Sequence, residues 1–108
     1  MTAITLNFTP DMGQAILEGR KCCTSRRSKK GEIGDTFGID DGLLRRRTYR
    51  IADVHRMSWD HIVSNLYRPE GFDSPSACSA YFRAIYPDLH NGRYNTNLYV
   101  HWFAAVQE

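Results

Sequence analysis

The segment LYVHWFAAV at residues 98–106 decides the fold, because it places apolar side chains on both faces of an extended chain. The two alternating sets are Leu98, Val100 and Trp102, and Tyr99, His101 and Phe103. Side chains alternate between the two faces of a strand, and a strand without a polar face is packed on both sides. The segment therefore predicts a β-strand that is buried on both faces.

Three further segments predict strands upstream of this one. Residues 4–8 (ITLNF) alternate apolar and polar side chains, while residues 35–39 (DTFGI) and 45–57 (RRRTYRIADVHRM) are rich in strand-forming residues. Asp41-Gly42 lies between the last two and is typical of a hairpin turn. The alternation slips between Ile51 and Val54, which predicts a β-bulge in the longer strand. Residues 21–27 have no clear period and are expected to be extended.

Three short helices are predicted from their start and stop signals. Thr9-Pro10 begins a helix over residues 10–18 that Gly19 ends, and Ser58 caps a second helix that runs to Leu66. Ser74-Pro75 begins a third helix, whose apolar face consists of Cys78, Phe82 and Ile85 and which ends at Pro87. A loop rich in Asn and Gly follows at residues 90–97. The resulting order predicts an α+β fold, a small and partly closed β-barrel with helices across one side.

Length and composition restrict the class of protein. The 108 residues, 42% of them hydrophobic, suffice for one domain over residues 1–108 and exclude a disordered chain. The sequence contains neither an apolar run long enough for a membrane helix nor a secretion signal. Three cysteines, two of them adjacent, form a poor disulfide framework and indicate free thiols in a reducing compartment. We therefore expect a cytoplasmic protein with no membrane partner.

The positive charges are concentrated in one part of the chain. Ten of the 14 Lys and Arg residues lie within residues 20–50, in the segments RKCCTSRRSKK (20–30) and RRRTYR (45–50), although the net charge is only +2. A local field of this kind favours contact with phosphates or another anionic ligand. The alternative is a solvated basic face that keeps the protein soluble.

Four segments in the same order resemble the ASCH domain family, whose small barrel is related to RNA-binding PUA domains. ILEGRKCCTSRR (16–27) resembles the family's opening pattern of a helix end, a lysine, a threonine and an arginine. GEIGDTF (31–37) resembles its Gly-Asp strand entry. EGFDSP (70–75) followed by AYFRAIYP (80–87) is similar to its glutamate-containing turn and helix, and LYVHWF (98–103) matches its closing strand. The resemblance implies a PUA-like barrel over nearly the whole chain.

The resemblance also implies an activity. A small bacterial branch of the family hydrolyses N4-acetylcytidine to cytidine and acetate with a lysine, a threonine and a glutamate. In this sequence the matching residues are Lys21, Thr24 and Glu70. Other family members are better described as RNA-binding modules, so membership alone does not establish the activity.

The chemistry of amide hydrolysis assigns a role to each of the three residues. Thr24 is expected to be the nucleophile, Lys21 the general base and Glu70 the donor of a proton to the departing nitrogen. A cleft that excludes water, with Arg20 or Arg26 nearby, would favour a neutral lysine. Residues three apart on a strand point to opposite faces, so the chain around residues 19–24 must be turn-like or bulged.

Further residues are expected to bind the substrate or RNA in the same electropositive cleft. They are Arg20, Arg26, Arg45, Arg47, Tyr99 and His101. The expected partner is a cytidine-type nucleoside or an RNA segment, and no cofactor is predicted. The four histidines (His55, His61, His90 and His101) and three cysteines lack metal-ligand spacing, so no metal site is predicted either.

Several alternatives remain open from the sequence. The cleft could belong to a non-catalytic RNA-binding module or to an RNA-cleaving enzyme. Lys21, Thr24 and Glu70 could equally be a solvated cation, a strand residue and a turn acid, and the arginines at 45–47 could protect the edge of a hairpin. Cys22 and Cys23 lie among cations that would lower the pKa of a thiol, but a packing role is the simpler interpretation.

Overall fold

Four antiparallel strands form one curled sheet in the computed structural model, which describes residues 2–42, 45–89 and 96–107. The strands are β1 (Cys23–Arg26), β2 (Thr36–Asp40), β3 (Arg46–Ser58) and β4 (Asn97–Ala105). Their order in the sheet is β1-β4-β3-β2, so β4 lies between β1 and the long strand β3. The predicted α+β fold with a small, partly closed barrel is confirmed.

Three helices complete the part of the chain that the structure describes: α1 (Pro10–Leu17), α2 (Trp59–Asn65) and α3 (Pro75–Ile85). Each begins after a hydroxyl side chain that accepts a hydrogen bond from a backbone N–H three residues later. These capping residues are Thr9, Ser58 and Ser74, as predicted. Within the described residues no helix has the length and apolar character needed to cross a bilayer.

Strand β4 is buried on both faces because two apolar cores lie on either side of it. Leu98 and Val100 belong to a core that includes Trp59 of α2 and Phe82 of α3. Phe103 belongs to a second core, formed with side chains of α1, β2 and β3. Trp102 is half-buried against the first core. The prediction from the alternating pattern is therefore confirmed.

The predicted hairpin and bulge are both present. Strands β2 and β3 pair antiparallel with Asp40 opposite Arg46, and the register of β3 against β4 shifts between Ile51 and Asp53. Two parts of these predictions fall outside the described residues: positions 43–44 of the hairpin connection and positions 90–95 of the loop predicted over 90–97.

Two predictions about local structure are wrong. Residues 4–8 do not form a strand, because the chain makes only one isolated bridge, between Ala3 and Thr36 of β2. Beyond that bridge Leu6 packs into the second core, and the carbonyl of Asn7 accepts a hydrogen bond from the Arg26 guanidinium at 2.8 Å. Ile85, which the sequence pattern predicts on the buried face of α3, is 47% exposed at the last turn of the helix.

Candidate active site

A tight turn after α2 carries Glu70 into the protein. The Glu70 N–H donates to the carbonyl of Leu66, and Gly71 follows with a φ of +103°, a conformation that side-chain-bearing residues rarely adopt. The carbonyl of Pro69 accepts hydrogen bonds from the N–H groups of both Cys22 and Cys23, at 2.8 and 3.2 Å. These bonds fix the turn against the chain that leads into β1.

Lys21 lies in the turn between α1 and β1, opposite Glu70. Gly19 has a φ of +80°, and the Lys21 N–H donates back to the carbonyl of Ala15, so the chain leaves the helix in a turn and β1 begins only at Cys23. The chain that leads into β1 is therefore turn-like, as the predicted site requires. Gly71 also needs to be small, because a Cβ there would lie 3.3 Å from the Cβ of Lys21.

Lys21 and Glu70 form a buried ion pair. The Lys21 Nζ lies 3.3 Å from Oε1 of the Glu70 carboxylate and donates to the Glu70 backbone carbonyl at 2.9 Å. The two side chains are only 4% and 1% exposed. Burial of this kind removes the screening by water that weakens ion pairs at the surface.

Strand β1 supplies two neighbouring hydroxyl groups. Thr24 is buried, and its Oγ1 accepts a hydrogen bond from Nε of Arg26 at 3.3 Å. Ser25 is buried as well, and its hydroxyl donates to Oε2 of Glu70. Ser25 is not among the residues predicted from the sequence. Its one available signal was its place beside Thr24, and nothing in the sequence indicates that it meets a carboxylate 45 residues away.

These four polar residues line one cavity of about 350 Å³, here called the main cavity. The rest of its wall is largely aromatic and apolar, and Arg26 lies among the lining residues. The aromatic and apolar members are Phe8, Met12, Tyr81, Phe82, Ile85 and Tyr86. A cavity of this size with a mostly apolar wall and a few convergent polar groups is typical of a small-molecule site. Glu70 is thus brought together with Lys21 and Thr24, although 49 residues separate it from Lys21.

The other predicted binding residues are distributed differently. Arg26 contacts the main cavity and stacks over the ring of Phe8, with its guanidinium carbon 5.1 Å from the ring centroid. Arg20 is exposed and pairs with Glu18, outside the main cavity. Tyr99 is half-buried on β4 beneath the guanidinium of Arg56, also outside the main cavity. Arg20 and Tyr99 are therefore not brought to Lys21 and Glu70.

Arg45 and Arg47 line a second cavity of about 270 Å³, here called the arginine cavity. Its other lining residues are Arg46, Thr48, Ala105 and Val106. The main cavity and the arginine cavity share no lining residue. Lys21 and Arg47, one from each basic segment, both line a further cavity of about 300 Å³. None of the arginines at residues 45–50 lines the main cavity.

The cysteines have no sign of thiolate character. Burial raises the pKa of Cys23 and, to about 12, that of Cys78, and the nearby Glu70 carboxylate adds to both shifts. Burial also raises the pKa of Cys22, and the opposing effect of Lys21 is smaller. Lys21 does lower the pKa of both adjacent thiols, but loss of solvation outweighs it, which fits the packing role favoured from the sequence. Within the described residues no group of three or more His, Cys, Asp or Glu side chains could hold a metal ion.

His101 is buried behind Thr24, with both ring nitrogens hydrogen-bonded. Its Nδ1 lies 3.2 Å from the carbonyl oxygen of Thr24, and its Nε2 lies 2.9 Å from the backbone nitrogen of Lys30. A carbonyl only accepts and a backbone N–H only donates, so the ring is neutral with its proton on Nδ1. Burial lowers the pKa of His101 from its ordinary value of 6.5.

We expect this histidine to make stability depend on pH. Above about pH 6.5 His101 is neutral in both the folded and the unfolded chain. Below that pH the unfolded chain binds a proton at His101 that the folded chain does not, and the free energy of unfolding therefore falls as the pH falls. The free energy of unfolding, measured by urea unfolding at a series of pH values from about 8 downwards, shows this loss. His101→Gln should flatten the curve. Equal pH dependence in wild type and His101→Gln would contradict the assignment.

The fold is similar to that of a solved structure, protein EF3133 from Enterococcus faecalis V583, described by the DUF984 family model. The TM-score is 0.62 at 18% identity, and the match covers 87% of this chain. The similarity is one of fold. The chain spans 66% of the length of that structure. No family model matches the sequence, and a search of curated proteins gave no match.

Proposed function

We propose that the main cavity hydrolyses the acetyl amide of N4-acetylcytidine-type nucleosides, releasing cytidine and acetate. One observation carries the proposal: the buried Lys21–Glu70 pair lies in a cavity that Thr24 also lines. The resemblance of residues 16–27 and 70–75 to the deacetylating branch of the ASCH family assigns catalytic roles to the same three residues. The site and the resemblance thus point to one set of side chains.

The ion pair can supply both an acid and a base. Transfer of one proton over the 3.3 Å from Lys21 Nζ to Glu70 Oε1 converts the ammonium and carboxylate into an amine and a carboxylic acid. Amide hydrolysis requires a base to activate the nucleophile and an acid to protonate the leaving nitrogen.

In the first half of the reaction Thr24 takes up the acetyl group. The Lys21 amine accepts the proton of the Thr24 hydroxyl as Oγ1 attacks the acetyl carbonyl carbon. The bond from that carbon to N4 breaks, and Glu70 gives its proton to N4, so cytidine leaves. Arg26, which donates to Thr24 Oγ1, places positive charge beside the oxygen that attacks.

In the second half water removes the acetyl group. The Glu70 carboxylate accepts a proton from a water molecule as its oxygen attacks the acetyl carbonyl carbon. The bond to Thr24 Oγ1 breaks, and this oxygen takes back its proton from the Lys21 ammonium. The products are cytidine and acetic acid, which ionises in solution, and all three side chains return to their starting protonation states.

The aromatic wall of the cavity suits the base of such a substrate. Phe8, Tyr81 and Tyr86 line the cavity and give it aromatic surface against which a flat pyrimidine can pack. Stacking of a base on an aromatic side chain contributes about 1–3 kcal/mol without reading its hydrogen-bonding edge. This wall therefore favours a planar, uncharged ring next to the polar residues.

The direct test is incubation of the purified protein with N4-acetylcytidine, followed by chromatographic measurement of cytidine and acetate. We expect equal amounts of the two products. Because the substrate is neutral, turnover should change by less than about 2-fold between about 50 and 500 mM salt. Failure to release cytidine would contradict the proposed function.

The arginine cavity supports a second candidate function, RNA binding without catalysis. Arg45, Arg46 and Arg47 are exposed, and none takes part in the ion pairs found within the described residues, so they are available to phosphates. Labelled RNA tests this candidate. Binding through three phosphate contacts should weaken about 100-fold over the same tenfold rise in salt. Shortening of the RNA would instead support an RNA-cleaving enzyme.

A further inference from the structure

The Ser25 hydroxyl binds the carboxylate oxygen of Glu70 that Lys21 Nζ does not contact. The Glu70 carboxylate contacts Lys21 Nζ through Oε1 and the Ser25 hydroxyl through Oε2. Ser25 is 3% exposed and also lines the main cavity. Both carboxylate oxygens therefore have a fixed donor, which determines the rotation of the carboxylate plane.

The two residues that contact the Glu70 carboxylate lie before β1 and within it. Lys21 precedes the strand, while Ser25 is its third residue, two positions after the buried Cys23 and on the same face. Thr24 lies between them in sequence, and its hydroxyl accepts a hydrogen bond from Arg26 and, within the described residues, makes no hydrogen bond to Glu70. The structure thus separates the two hydroxyl groups: one accepts from Arg26 and the other donates to Glu70.

We infer that Ser25 is a positioning residue. It holds Oε2 of Glu70, so that Oε1 faces Lys21 Nζ and the two atoms can exchange a proton. This inference rests on the proposed function. A hydroxyl that donates to a carboxylate forms a charge-assisted hydrogen bond, which is stronger than one between neutral groups. Such a bond stabilises the charged form of Glu70, the form that must exist after it has protonated the leaving nitrogen.

The test compares Ser25→Ala with Ser25→Thr in N4-acetylcytidine hydrolysis. Ser25→Ala removes the donor, and we expect kcat to fall about 10–100-fold while KM stays within about 3-fold. Ser25→Thr keeps a hydroxyl at the same position and should restore kcat to within about 3-fold of wild type. A change at the exposed Ser76, Ser76→Ala, is the matched control.

The possible results separate the role of Ser25 from the proposed function. An active wild type whose kcat is unaffected by Ser25→Ala overturns the role of Ser25 and leaves the proposed function standing. The same holds if Ser25→Thr is as impaired as Ser25→Ala, or if the loss lies in KM alone. An inactive wild type overturns both the proposed function and this inference.

Discussion

Replacement of Lys21 by methionine is expected to lower the free energy of unfolding by about 3–5 kcal/mol. The change removes the only charged partner of Glu70 among the ion pairs of the described residues and leaves the carboxylate 1% exposed. Methionine nearly preserves the length of the lysine side chain, so loss of packing contributes little. Urea unfolding monitored by circular dichroism measures the difference.

Two controls distinguish the loss of stability caused by an unpaired buried charge from the ordinary effects of a mutation. The exposed pair Lys29–Glu32 has the same chemistry with side chains 42% and 71% exposed, and Lys29→Met should cost less than about 1 kcal/mol. The double variant Lys21→Met/Glu70→Leu removes both buried charges and should recover most of the loss, to within about 2 kcal/mol of wild type. If the double variant is as unstable as Lys21→Met, the uncompensated carboxylate is not the cause.

The predictable part of the fold consists of features that are encoded locally. The caps at Thr9, Ser58 and Ser74 each require a hydroxyl and an N–H three residues later, which a sequence states directly. The alternation in β4 likewise follows from neighbouring residues. The same rule failed at residues 4–8, because alternation predicts a strand only where a partner strand is available. The single bridge to Thr36 is made by the preceding residue, Ala3.

The candidate site depends on contacts over long stretches of chain, which no local pattern states. Glu70 was found through its resemblance to a family motif; as a glutamate in a turn it would otherwise be expected on the surface. Its burial depends on Gly71, whose φ and close approach to Lys21 are properties of the folded chain. Arg45 and Arg47 illustrate the reverse case, since a run of positive charge does not reveal which cavity it lines.

Replacement of Thr24 by valine is expected to lower kcat for N4-acetylcytidine by about 10³-fold or more, because valine keeps the shape of threonine but has no nucleophilic oxygen. The fold should persist, since a β-branched residue is retained on β1. Thr24→Ser keeps the hydroxyl and should retain activity within about 10-fold. Thr36→Val, at a half-buried threonine on β2 outside the main cavity, is the matched control and should be fully active.

Mass spectrometry of quenched reactions tests the same role directly, because the acetyl group should be found on Thr24 during turnover. Tryptic cleavage after Lys21 and Arg26 releases a peptide of residues 22–26 that contains both Thr24 and Ser25, so fragment ions must locate the group. Acetylation of Ser25, together with normal turnover by Thr24→Val, would transfer the nucleophilic role to the neighbouring hydroxyl. The hydrogen bonds argue against that result: Ser25 is held by the carboxylate that must deliver a proton to the leaving nitrogen, whereas Thr24 accepts from Arg26 and is placed beside positive charge.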